Sequence, residues 1–111
     1  PDASFVRAER VPAGKALRAF LPLAPDLAVE VLSAPDTASV LAGKLDDYLA
    51  AGTRAVWVVD PSRRAVEVHA PDAPVRRLRA GDTLDGAPVL PGFRCAVDEL
   101  FDGLDAEDAA G

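Results

Sequence analysis

The sequence predicts an α/β (α+β) domain built on a mixed β-sheet, and three observations predict it. Residues 25–61, PDLAVEVLSAPDTASVLAGKLDDYLAAGTRAVWVVDP, hold two apolar runs separated by a helical pattern. The runs Leu27 to Leu32, except for Glu30, and Ala55 to Val59 are apolar on both faces, as parallel strands covered on two sides are. Downstream, Ala65 to Ala70 (AVEVHA) sets Val66 and Val68 against Glu67 and His69, the alternation of a half-exposed antiparallel strand.

Taken in order, Asp2 to Arg7 is a short strand candidate, with Ser4 and Val6 on the face of Asp2. Ala8 to Ala24 contains Pro12, Gly14 and Pro22 without periodicity, which predicts a loop with one helical turn near Lys15 to Phe20. After the strand at Leu27 to Leu32, Ser33-Ala34-Pro35-Asp36 carries turn and cap chemistry. From Thr37 the apolar residues fall at Val40, Leu41, Leu45, Tyr48 and Leu49, a helical spacing that Gly52 ends. Strand, helix and strand in this order suggest a right-handed crossover between parallel neighbours. Asp60-Pro61 closes the second strand. Hairpins follow through Ser62-Arg63-Arg64 and Pro71-Asp72-Ala73-Pro74, the latter leading into Val75 to Arg79. A turn at Gly81-Asp82, strand pieces at Ala87 to Leu90 and Phe93 to Val97, and a helical turn at Glu99 to Phe101 capped by Asp98 complete the reading.

A chain of 111 residues, half of them hydrophobic, holds one domain with a modest core. We place that domain at residues 1–101 and an acidic, frayed tail at 102–111. The chain has no Met and starts at Pro1-Asp2 in a strand pattern, as part of a longer protein would. The lone Cys95 excludes a disulfide framework and a cysteine zinc site, and points to a reducing, cytoplasmic setting. No apolar run approaches the roughly 18 residues of a membrane span. The net charge of −6 argues against a broad electrostatic grip on nucleic acid. It leaves room for an acidic metal site working on phosphates, because a bound cation reverses the local field.

Two charged groups stand where a purely structural design would use apolar ones. Glu30 lies within the first apolar run, and a carboxylate there is costly to bury without a partner. Lys44, at about 100° per residue, falls between Val40 and Tyr48 on the margin of the helix's buried stripe. Asp26 and Glu30 share a strand face but stand roughly 13 Å apart along it, too far to hold one ion together. Asp2 is the better partner for Glu30 if the two strands are neighbours, about 4.8 Å apart. Two acids and a lysine around a divalent ion are what metal-assisted phosphodiester hydrolysis requires. The competing reading is a structural Glu30–Lys44 ion pair, buried and without catalytic purpose. Asp26 is then turn chemistry, His69 a surface histidine, and Tyr48 and Trp57 core residues. The arginines at 63, 64, 76, 77 and 79 are charged hairpin edges that discourage strand pairing.

PDASFV, PDLAVEVLSAPD, KLDDYLAAGTRAVWVVDP and GDTLDGAPVLPGFRCAVDELF, in that order, resemble the hallmarks of the Uma2 family, bacterial proteins of the PD-(D/E)XK nuclease superfamily. The resemblance covers nearly the whole chain, although the family domain is longer at the front. It implies a restriction-endonuclease-like mixed β-sheet with flanking helices and a Mg2+- or Mn2+-dependent endonuclease acting on DNA. By position, Asp2 resembles the motif aspartate and Glu30 the acid of the (D/E)XK motif, both as metal ligands. Leu32 stands where the motif lysine belongs, and Lys44 looks like its migrated replacement. Asp26 recurs in the family signature and is carried as an accessory residue. The expectation from the other class is a non-catalytic interaction or assembly module on this scaffold. It would be a homodimer if Val66, Val68 and Leu78 form a two-fold contact.

Overall fold

In the computed structural model, the structure describes residues 2–7, 9, 24–33 and 38–102. A five-stranded sheet runs in the order β1 (Ala3–Phe5), β2 (Leu27–Val31), β3 (Ala55–Asp60), β4 (Ala65–His69), β5 (Arg76–Leu78). Among the described residues the one parallel pair is β2 with β3, in the register Leu27↔Ala55 to Val31↔Val59, and α1 (Ala38–Ala50) lies between them in sequence. The other neighbours are antiparallel, with β1 on β2 through Ala3↔Val29 and β4 on β3 through Val59↔Val66. The sheet is mixed, as the apolar runs and the alternating strand together require.

Side chains alternate across a strand, so β3 supplies both faces of the sheet. Ala55, Trp57 and Val59 join Leu27, Val66 and Leu78 on one face, closed by Leu84, Val89, Val97 and Phe101. Leu84 comes from a separate two-stranded sheet of β6 (Thr83–Asp85) and β7 (Arg94–Ala96), and Val97 and Phe101 from a helical segment at 97–102. On the other face, Ala28, Val56 and Val58 lie under Leu41, Leu45, Tyr48 and Leu49 of α1. None of the residues of α1 is itself fully buried. Glu30 is two residues on from Ala28 and therefore projects from the α1 face.

The helix stops where the sequence says it should. Gly52 takes φ +101°, and the N–H groups of Gly52 and Thr53 bind the carbonyls of Leu49 and Tyr48, which the helix leaves unpaired. After β3, Asp60 Oδ1 accepts from the N–H groups of Ser62 (3.1 Å) and Arg63 (3.3 Å), building the expected turn. The cap chemistry at 34–37, the loop with its turn at Lys15 to Phe20, and the tail beyond residue 102 lie outside the described residues.

Several expectations change. Ala87 to Leu90 is a turn, and the strand is Thr83–Asp85, where a single leucine faces the core. The turn is tight: Leu90 N–H donates to Gly86 O at 2.7 Å, and a Cβ on Gly86 would sit 2.6 Å from Leu90 O. The peptide bond Ala87–Pro88 is cis. His69 is not a freely exposed surface histidine: it pairs with Val56 and so shares the α1 side of the sheet, and its ring is 14% exposed and bonded to Glu67 at 3.1 Å. Asp98 lies inside the helical segment, and its carboxylate accepts from Gly81 N–H at 3.2 Å, tying the β5–β6 turn to 97–102. Val66 and Leu78 are buried in this chain's own core, and Val68 packs against it half-buried. Among the described residues, no helix is long and apolar enough to cross a membrane.

Candidate active site

Glu30 sits in β2 because the residues around it, Ala28, Val29 and Val31, favour an extended, two-sided strand. The same placement leaves its side chain only 8% exposed. A carboxylate so placed needs partners, and α1 provides two. Lys44 and Tyr48 are four residues apart, so they stack on one face of the helix, one turn above the other. Tyr48 Oη donates to Glu30 Oε1 at 2.9 Å, and Lys44 Nζ stands 3.9 Å from Glu30 Oε2.

These two contacts are unequal. The tyrosine bond is short and partly buried, and a hydrogen bond to a charged acceptor contributes about 1.5–3 kcal/mol. Lys44 is 51% exposed and its contact is long. A pair so open to water is worth at most about 1 kcal/mol. The structural reading of a buried ion pair therefore does not describe this contact: the acid is buried, the lysine is half in water, and the tyrosine supplies the stronger interaction. The effect on Tyr48 is visible in its ionisation. Burial first, then the bond to Glu30 and the charges of Glu30 and Asp2, push its hydroxyl from 10.0 up to about 12.

Asp2 enters from the neighbouring strand, as its pairing with Glu30 required. Its N–H donates to Val29 O at 2.9 Å, and its Oδ2 accepts from Val31 N–H at 2.7 Å. The backbone of β2 therefore grips the carboxylate next to Glu30, and both acids act on the Tyr48 hydroxyl. Asp26 is elsewhere and otherwise engaged. It is buried; its Oδ2 accepts from Arg7 N–H at 2.8 Å, and its carbonyl accepts from the N–H groups of Arg54 and Ala55. It knots the exit of β1 to the starts of β2 and β3, and the structure does not bring it to Glu30.

The donor set fits a hard divalent cation. Mg2+ takes oxygen ligands, and proteins hold it with one or two carboxylates while water and substrate phosphate complete the shell. Asp2 and Glu30 are such a pair. No group of three or more His, Cys, Asp or Glu able to hold a metal occurs among the described residues.

Tyr48 is the residue that sequence reasoning misses. Its place on the apolar stripe of α1 assigns it to the core, and its ring does pack there. The available signal was its position one turn beyond Lys44. A buried tyrosine hydroxyl also needs a partner, and Glu30 is the polar group on the strand beneath.

The Uma2 family, described as "Putative restriction endonuclease", matches residues 1–98. Among solved structures, "a putative nuclease belonging to DUF820" from Anabaena variabilis superposes with a TM-score of 0.68 at 22% identity. The alignment covers 74% of this chain and 46% of that one, so the present chain spans under half the length of its structural relative. At such identity the likeness speaks for the fold alone, a nuclease-like mixed sheet with helices. No curated protein matches the sequence. The motifs, the sheet order and a family match from the first residue to Asp98 agree, and the chain belongs to the Uma2 family of restriction-endonuclease-like proteins.

Proposed function

We propose that this chain carries the site of a metal-dependent endonuclease that hydrolyses DNA phosphodiester bonds, with Asp2 and Glu30 as Mg2+ or Mn2+ ligands and Lys44 as the electrostatic catalyst. The observation that carries this reading is a buried carboxylate, Glu30, beside a half-exposed lysine, with a second acid brought alongside by strand pairing. A divalent cation held there would supply Lewis acidity and lower the pKa of water. The protein's own contributions follow from placement. Val31 N–H holds the Asp2 carboxylate, and the place of Glu30 in β2 sets where its side chain leaves the sheet. Lys44 has its stem along α1 and its ammonium in solvent, free to meet a phosphate oxygen and offset the charge that builds there in the transition state. Family and fold support DNA as the substrate.

Calorimetric titration of Mn2+ into the unmodified chain and into Glu30→Ala tests the ligand assignment. Binding should be measurable in the first and absent in the second. Lys44→Ala should then keep its cation affinity while cleavage of a DNA duplex falls about 10²–10³-fold. Equal cleavage by both proteins would remove Lys44 from the mechanism. An unmodified chain that binds no cation would sink the whole reading.

A further inference from the structure

We infer that Tyr48 is a positioning residue for Glu30: its hydroxyl holds Oε1 so that Oε2 is presented on the side of Lys44, where a divalent cation would be taken up. The inference rests on the proposed role of Glu30 as a metal ligand and assigns a further residue to that site.

The geometry divides the two helix partners of Glu30 by oxygen. Tyr48 reaches Oε1 at 2.9 Å, and Lys44 approaches Oε2 at 3.9 Å. They also differ in charge, and this decides what each can do for a cation. A lysine against a carboxylate cancels the negative charge that attracts the ion. A tyrosine hydroxyl is neutral; it orients the group and leaves the charge in place. Lys44, half in solvent, can swing aside when an ion arrives. Tyr48 is the more constrained of the two, because its ring packs against Ala28, Val56 and Val58 of the sheet. A constrained neutral donor on a ligating carboxylate is the arrangement found around metal sites, where removing the outer partner costs 10–100-fold in affinity. A phenylalanine would serve the packing equally well. The hydroxyl is explained by its acceptor.

Tyr48 is the only tyrosine in the chain, so its near-ultraviolet absorption reports on this one hydrogen bond. Mn2+ is the probe, titrated into the unmodified chain, Tyr48→Phe, Glu30→Gln and Glu30→Ala, with calorimetry and difference absorption read together. Cation binding should perturb the tyrosine band in the unmodified chain and leave it unperturbed in both Glu30 variants. Tyr48→Phe should keep its circular dichroism and bind Mn2+ 10–100-fold more weakly. A helix held only by packing would show neither the band shift nor the affinity loss. Affinity of Tyr48→Phe within about twofold of the unmodified chain, with Glu30→Ala abolishing binding, would overturn the role of Tyr48 and spare that of Glu30. Cation binding by the unmodified chain with a silent tyrosine band would overturn it independently of how Tyr48→Phe folds. Failure of the unmodified chain to bind Mn2+ would overturn both assignments together.

Discussion

The two faces of the sheet are built to different standards. One is closed, among the described residues, by ten buried hydrophobic residues drawn from both sheets, the 87–90 turn and the 97–102 segment, with Trp57 against Phe93 at 5.5 Å between ring centroids. The other has three among the described residues, under a helix that buries none of its own fully. The acid the fold can least easily hide, Glu30, lies on the second face. A thinly covered face costs stability. It also leaves room for a carboxylate, a lysine and a tyrosine to stay near water, which a dense core would not allow.

The first way to break this comparison is to damage each face in turn. Phe101→Ala empties the closed face, where a fully buried ring is lost, and should cost about 3–5 kcal/mol of unfolding free energy in urea. Leu45→Ala removes a half-buried side chain over Val56 and Val58 and should cost much less than a core leucine, about 1 kcal/mol. Equal losses would mean that α1 is as firmly packed as the opposite layer.

The second way sets the two buried acids against each other. Asp26→Ala strips the acceptor from Arg7 N–H at a buried junction of three strands and should destabilise by about 1–3 kcal/mol. Glu30→Gln keeps an oxygen for Tyr48 and leaves no donor without an acceptor, so it should destabilise less than Asp26→Ala. Cation affinity should respond in the opposite order: intact in Asp26→Ala, lost in Glu30→Gln. A large stability loss in Glu30→Gln would make Glu30 a structural residue first.

How much of this was legible follows from the same contrast. The strand–helix–strand unit could be read because Leu27–Val31, Glu30 excepted, and 55–59 are apolar on both faces and Gly52 marks the stop. Thr83–Asp85 could not, since one leucine between two polar residues gives no period, and its pairing with Arg94–Ala96 is set by distant chain. Lys44 on the stripe margin was legible from helical geometry alone. The nearness of Asp2 and Glu30 was only conditional, because a sequence does not state which strands are neighbours. The Tyr48–Glu30 bond spans 18 residues and depends on how α1 sits over β2, which apolar spacing does not fix.

The smallest effect is the sharpest test of how that face is wired, because it reads one proton. The hydroxyl of Tyr48 stands at about 12, above its ordinary 10.0. Its neutral form is therefore favoured by folding, so this contribution to stability is complete below pH 10 and is lost as the pH rises through about 12. An absorbance titration of the lone tyrosine, taken in rapid pH jumps that outrun unfolding, should show its midpoint near that value. Burial is the largest cause, followed by the bond to Glu30 and its charge, with Asp2 last. Glu30→Gln should therefore bring the midpoint part of the way down, leaving what burial contributes. Asp2→Asn should move it in the same direction by less. If Asp2→Asn moved it as far as Glu30→Gln, Asp2 rather than Glu30 would be the acid nearest the hydroxyl, and the order of the two acids at this site would have to be exchanged.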